Sequence, residues 1–446
     1  MITTLENKKI IPAQLEEEFR ALFGKNFASE PDWLKEKRKE SFEKFLNKGI
    51  PTRKNEEYKY TDVRKVFAAN YSTVHNEAHK LNLDFNKISV DKNSIKLVFV
   101  NGWLYKDSTL SAALPKGVVV GSMANDGLFL HRELLKKYLG CCHSERSEEP
   151  PDSFLQLNSS LWFDGAFIYL TQNTVLEKTI EIIHICTGEN ELLVNPRHLI
   201  IAEKNSEAQI IEHSISLDVK KRVIVNSVAE VFVDEDAKLN YYKIQNENRN
   251  VFHLHSTQAI QKNNSHFDTN TVTLDSNWVR NTLNISIEGE NCETHLNGLF
   301  ITADSQFVDN HTRVYHGKAH CQSNQLYKGI LDGKSTGVFN GKIFVERDAQ
   351  KTNAYQSSKN ILLTDDATIN TKPELEIYAD DVKCSHGSST GKIDEDALFY
   401  LRARGLSETS ARRLLLHAFA SDVLDTIKIE SLKNYLEELV EEKLSK

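Results

Sequence analysis

The sequence has no CxxC pair, no apolar run as long as a membrane helix and no excess of basic charge. Each absence excludes a class of protein. Without paired cysteines, neither a zinc ribbon nor a thioredoxin-like redox site is indicated. The six cysteines, Cys141, Cys142, Cys186, Cys292, Cys321 and Cys384, are expected as free thiols in a reducing compartment. A helix that spans a bilayer takes about 20 apolar residues, and no burst in this chain approaches that. The opening stretch MITTLENKKIIPAQLEEEF lacks the apolar centre of a secretion signal, so a cytoplasmic location and no membrane contact are expected. A net charge of −8 argues against a general nucleic-acid binder, which usually carries a basic face. No HExxH motif occurs, and no acid pair stands apart from the aspartates of turns.

With 446 residues the chain has room for two or three domains. The first, residues 1–155, reads as helical and mixed. Leu15, Phe19, Leu22 and Phe23 share one face of a helix after Pro12. A second helix starts near Asp32, carries Leu34, Phe42, Phe45 and Leu46, and stops at Gly49. Two apolar bursts between 96 and 120, IKLVFVNG and GVVVG, look like strands, and HRELLKKYLG looks like a short helix ending at Gly140. The stretch CCHSERSEEPPDS, 141–153, has no periodicity and two adjacent prolines, which reads as an exposed loop or insertion. Cys141 and Cys142 are therefore expected to be incidental thiols.

From 156 to 391 helical spacing gives way to short bursts of Val, Ile, Leu, Phe and Tyr between polar turns. The turns near Asp304, Asp332, Asp348, Asp365 and Asp380 recur at about 16 residues or twice that, and those near Glu203, Glu235, Lys262 and Gly289 at about 27–32. A strand repeat of that length fits a stacked solenoid, whose rungs bury their apolar faces only against one another. A sandwich would show hairpin turns every 8–12 residues or so. Residues 392–446 return to helix. Asp394 and Ser407 can cap two helices separated by Gly405, and a third carries Leu432, Tyr435, Leu436, Leu439 and Val440. Their apolar surface exceeds what short helices need against each other. It can cover the solenoid or dock a partner, and the pattern leaves both open.

Cys384 and His386 lie two apart, on one face of a strand. Thiolate and imidazole suit iron, zinc or copper(I), but two ligands do not close a site. Alone, such a pair reads as a half-buried thiol beside a hydrogen-bonded histidine. His253 and His255 form another same-face pair, while His311, His316, His320 and Cys321 crowd together in spacings that match no standard ligand set. For these the structural reading is favoured. Gly329-Ile330-Leu331-Asp332-Gly333-Lys334-Ser335 imitates a phosphate loop with one residue too few between its glycines and no helix after it. Any ATP site would belong to another subunit.

Taken together, the segments VKCSHGSSTGKIDEDALFYLRARGLSETSARRLLLHAFASDVL, YKGILDGKSTGVFNGKIFVERDAQKTNAYQSSKNILL, DDATINTKPELEIYADDVKCSHG, VDNHTRVYHGKAHCQSNQLYKG and PTRKNEEYKYTDV closely resemble the SufB/SufD family of iron–sulfur cluster assembly proteins. The likeness covers most of the chain. The CSHG element and PTRKNEEYKYT match the SufD pattern, and the HTFPY segment that marks SufB is replaced by NTKPELEIYADD.

The resemblance implies a mainly β protein, a right-handed parallel β-helix flanked by helical regions. It implies a non-catalytic scaffold that pairs with a SufB-like subunit through the β-helices and binds a SufC-like ATPase through the C-terminal helices. A cysteine desulfurase system supplies sulfur indirectly. The family's functional histidine maps onto His386, with Cys384 beside it, as candidate ligands at the subunit junction for a transient cluster or iron shared with the partner. No stably bound cofactor is expected; flavin involvement and a homodimer in isolation stay open. The docking face for the ATPase is expected at Leu398, Leu401, Leu414, Leu415 and Phe419. The competing readings are a β-helical carbohydrate-active enzyme, which lacks its acid set here, and a stand-alone metal-binding protein, which lacks a closed ligand set.

Overall fold

A computed structural model of the chain describes residues 13–67, 71–73, 82–105, 114–141 and 152–445. Its centre is a parallel β-solenoid of two ten-stranded sheets. Successive strands alternate between the sheets, so each coil contributes two strands. Along one sheet Trp278 pairs with Phe307, Phe307 with Thr336 and Thr336 with Thr368, steps of 29, 29 and 32 residues. The long repeat in the sequence is thus one full coil, and the repeat of about 16 is one strand with its corner.

The corners explain which polar residues recur. Asn173, Asn205, Asp236, Asn264, Asn291, His320 and Lys351 all have positive φ and occupy the same corner of successive coils. Each donates its backbone N–H to the next coil, for example Asn205 to the Glu235 carbonyl and His320 to the Gln350 carbonyl. Asn and Asp tolerate the left-handed conformation better than most residues. Their side chains also link coils: the Asn205 amide donates to Asn173 (2.9 Å), Asn264 to Asp236 (3.0 Å) and Asn291 to Asn264 (3.2 Å). Gly333 (φ +62) turns a different corner, where a Cβ would meet the Asp304 backbone nitrogen at 2.8 Å. The phosphate-loop lookalike is this corner, set between the strands Gln322–Leu331 and Thr336–Val345.

Inside the coils, alternate residues such as Ile180, Ile182, Ile210, Val231, Leu239, Phe267, Leu283 and Leu296 fill a continuous apolar core. The outer faces are covered by helices. Ala13–Lys25 and Asp32–Lys48, the latter stopped at Gly49 (φ +71), lie where the apolar spacing puts them. With Ser153–Leu161 they bury Phe19, Phe45, Phe154 and Leu157 against Ile224, Leu254 and Trp278 of one sheet. The bursts at 96–120 are the strands Ile95–Val100 and Val118–Ser122, and Arg132–Tyr138 is helical. Both strands join the sheets: Ile95–Val100 pairs in parallel with Ile180–Gly188, and Val118–Ser122 antiparallel with Ala166–Leu170. The 141–153 insertion lies mostly outside the described residues, Cys142 included; Cys141 is exposed.

The C-terminal helices Glu395–Ala403, Glu408–Leu424 and Glu430–Leu444 settle one open point. Asp394 and Ser407 cap the first two as their sequence suggests, accepting from Asp396 and Ala397 and from Ser410. The apolar stripe Leu416, Ala420, Val423, Leu424, Leu432, Leu436 and Val440 packs on Tyr242, Ile244, Val272, Leu299 and Ile330 of the second sheet. Each fully buried leucine in this layer contributes about 1.5–3 kcal/mol. The excess apolar surface therefore covers the flank of the solenoid. Lys328 fixes the layer by donating to the Phe419 carbonyl (2.8 Å) and pairing with Asp422. Among the described residues, no helix is long and apolar enough to cross a membrane.

Candidate functional site

The two ends of the solenoid differ. At the N-terminal end the sheets stop on the short antiparallel strands Trp103–Leu104 and Val118–Ser122, the latter mostly buried. At the C-terminal end both sheets stop on parallel strands, Thr368–Ile377 and Lys383–Gly391, whose outer edges pair with no other strand among the described residues. These strands are ten and nine residues long and contain no fully buried residue. A long uncovered edge presents unpaired backbone N–H and C=O groups, which invite another strand.

Cys384 and His386 sit on that last strand. Cys384 lies opposite Ala354 and His386 opposite Gln356. Ala354 and Gln356 are buried and face the lumen, so both candidate ligands point inward at the open end. Cys384 is half-buried and packs with Ile343, Val345, Ala349 and Leu375. Burial raises its thiol pKa, and the Ala354 backbone N–H partly offsets that. His386 is exposed. Two residues on, the Ser388 hydroxyl donates to Thr371 Oγ1 across the lumen (2.9 Å), tying the two edge strands together. The site thus offers a thiol and an imidazole on one face, with one side of the lumen open.

The other histidine groups separate. His253 bonds Glu247 (2.8 Å) and Ser227 (3.1 Å), while His255 bonds Ser227 (2.7 Å) and Thr257 (2.9 Å), all inside the lumen. His311 faces Glu57 and Asp309, His316 bonds Ser323 (2.9 Å) in the lumen, and His320 turns a corner. The Cys321 thiol points to the Gly289 carbonyl, as does that of Cys292 on the neighbouring coil. Apart from the exposed His320, each of these side chains meets a polar partner within the fold, in line with a structural role.

A lumen group that sequence spacing does not reveal is His184, His198 and Glu212. The two Nε2 atoms are 3.1 Å apart, and Glu212 Oε1 lies 3.7 and 3.9 Å from them. The chemistry speaks against a metal there. His198 Nδ1 accepts the Ala166 backbone N–H (2.8 Å), so the neutral ring keeps its proton on Nε2, the atom an ion would need. Burial lowers the pKa of both histidines.

The docking residues expected from sequence divide. Leu398 is buried, and Leu415 and Phe419 pack onto the solenoid flank, so these three face the chain's own core; Leu401 is half-buried. Leu414 is 50% exposed, and Phe399 (74%), Tyr400 (55%) and Leu406 (38%) join it as exposed apolar residues of the same helical region. Helical periodicity missed Phe399 and Tyr400 because it locates apolar faces without saying which one the fold covers.

Residues 13–182 match the model of the SufBD protein N-terminal region, and residues 184–419 that of the SUF system FeS cluster assembly SufBD core domain. The chain belongs to the SufBD family. An iron–sulfur cluster assembly SufBD family protein of Synechocystis is 31% identical, over 97% of this chain and 96% of its own length. The iron–sulfur cluster assembly protein SufD of Escherichia coli is 29% identical over 88% of each chain, and that of Bacillus subtilis 26% identical over 70% and 71%. The SufBD core match runs from within the strand Ile180–Gly188 to the helix Glu408–Leu424, and includes the open end with Cys384 and His386. Membership of this iron–sulfur assembly family speaks against the carbohydrate-enzyme reading.

Proposed function

We propose that the chain is a SufD-like scaffold subunit that holds iron and sulfide, as cargo, at a junction with a second β-solenoid of SufB type. The observation that carries this reading is the asymmetry of the ends: one stops on short, largely buried antiparallel strands, the other, among the described residues, on two long exposed parallel edge strands with a thiol and an imidazole on the lumen-facing side. A partner solenoid adds its own strands to those edges by main-chain hydrogen bonding. In doing so it brings the remaining ligands to Cys384 and His386. The thiol, its pKa raised by burial, loses its proton on binding iron.

No catalytic step is assigned to the chain, and the ATPase is a partner of SufC type. Its docking face is the exposed set Phe399, Tyr400, Leu406 and Leu414, next to the helix layer anchored on the solenoid flank. Nucleotide-driven movement of the partner then reaches the junction through that layer. The double change Phe399→Glu and Leu414→Glu is expected to abolish co-purification of the ATPase. Because both side chains are exposed, unfolding should shift by no more than about 0.5 kcal/mol per site. Undiminished ATPase binding would place the docking face elsewhere. The reading as a whole is tested by co-expressing the chain with SufB-like and SufC-like proteins and assaying the purified particle for iron and sulfide. A chain that purifies alone, without either partner, contradicts it.

A further inference from the structure

Away from the open end, the solenoid flank carries a four-residue group at the seam with the C-terminal helices. Strands His266–Asp275 and Glu293–Thr302 run in parallel, with His266 opposite Glu293 and Asp268 opposite His295. All four therefore stand on the same outer face, as a square. Asp268 is 8% exposed, and its Oδ1 lies 2.9 Å from His266 Nε2 and 2.7 Å from His295 Nδ1. Its Oδ2 is taken by Lys428 Nζ (2.7 Å), from the link between the last two helices. Burial opposes ionisation of Asp268, but the close approach of His266, His295 and Lys428 outweighs it and holds the carboxyl well below its usual range.

The far side of each ring decides what the group can do. A neutral histidine that ligates a metal must carry its proton on the other ring nitrogen, and a carboxylate there fixes that tautomer. Without an ion the rings turn their protons toward Asp268; for an ion to bind, each proton must move to the far nitrogen, and Glu293 stands there to receive it, one oxygen 3.5 Å from His266 Nδ1 and the other 3.5 Å from His295 Nε2. The lumen pair has the reverse arrangement, since a backbone N–H occupies the far nitrogen of His198. The ligating atoms of His266, Asp268 and His295 all lie within 4.8 Å of one another; the side chains of His266 and His295 are 23% and 32% exposed, while His266 Nε2 itself is buried and without a hydrogen-bond partner. Two imidazoles and one carboxylate favour zinc, cobalt, iron(II) or manganese over calcium or magnesium, which prefer all-oxygen sites.

We propose that His266, Asp268 and His295 bind one first-row divalent transition-metal ion, with Glu293 positioning both rings and Lys428 holding the second carboxylate oxygen. The site is separate from Cys384 and His386. It braces the seam, because Lys428 also reaches Asn240 (3.2 Å) and Thr426 bonds Asn270 (3.0 Å).

The test uses the untagged full chain with Cys384→Ala and His386→Ala, which removes the open-end ligands. Equilibrium dialysis against Zn²⁺ and Co²⁺ at neutral pH should find one equivalent bound, with Co²⁺ giving a visible ligand-field spectrum. Adding His295→Ala should abolish that spectrum. Glu293→Gln, which touches no ligating atom and leaves the fold intact, should weaken binding by about 10–100-fold. Absence of bound ion in the Cys384/His386 double variant overturns the proposal. So does unchanged affinity after both His295→Ala and Glu293→Gln.

Discussion

Asp309→Ala lowers the stability of the chain by about 3–5 kcal/mol, the cost of leaving a buried cation without its partner. Asp309 is fully buried; it pairs with Arg280, faces His311 Nε2 at 2.9 Å and accepts the Thr61 hydroxyl. Burial works against its charge, but Arg280 and His311 hold the carboxyl below its ordinary range. Arg280 also lies over the Tyr58 ring (3.9 Å). The segment NEEYKYT is thus clamped to the solenoid wall by a network that spans two parts of the chain. Its surface member, Lys372 to Glu56 (2.7 Å), is exposed, and Lys372→Ala should cost less than about 1 kcal/mol. Denaturant unfolding of both variants checks the contrast. Equal, small losses would mean that the clamp carries no weight.

His386→Ala leaves the assembled particle intact but cuts its iron and sulfide content by an order of magnitude or so, at least what loss of a supporting residue costs a metal site. His386 is exposed and Gln356 beside it stays buried, so the fold has little to lose. Iron and sulfide assays on the purified particle, with its subunit ratio measured alongside, read the two effects separately. Full cluster content after this change would remove His386 from the site. Cys384→Ser separates the thiol from the imidazole in the same assay.

Much of this fold was legible in the sequence because a solenoid repeats its own constraints. Each coil needs a left-handed corner, and Asn173, Asn205, Asp236, Asn264 and Asn291 advertise it at the coil length. Helix starts at Asp394 and Ser407 were legible for the same local reason: a capping oxygen followed by amphipathic spacing. The burial of Leu398 and the exposure of Phe399 were not, because they depend on which flank the helices cover. Nor was the square of His266, Asp268, Glu293 and His295. Its members are adjacent only across two strands 27 residues apart in register, and local motifs see one strand at a time. Cys384 and His386 were found because a single strand carries both. The role proposed for them rests on the family resemblance and on the strand's place at the open end, which the alternation of residues along it does not state.

Hydrogen exchange across residues 368–391, measured on the chain alone and in complex with a SufB-like subunit, tests the junction most directly. The backbone amides of the two edge strands Thr368–Ile377 and Lys383–Gly391 should exchange fast in the free chain and become strongly protected in the complex, while amides at the antiparallel N-terminal end stay unchanged. Protection confined to other parts of the solenoid, with 368–391 exchanging as freely as before, would contradict the account.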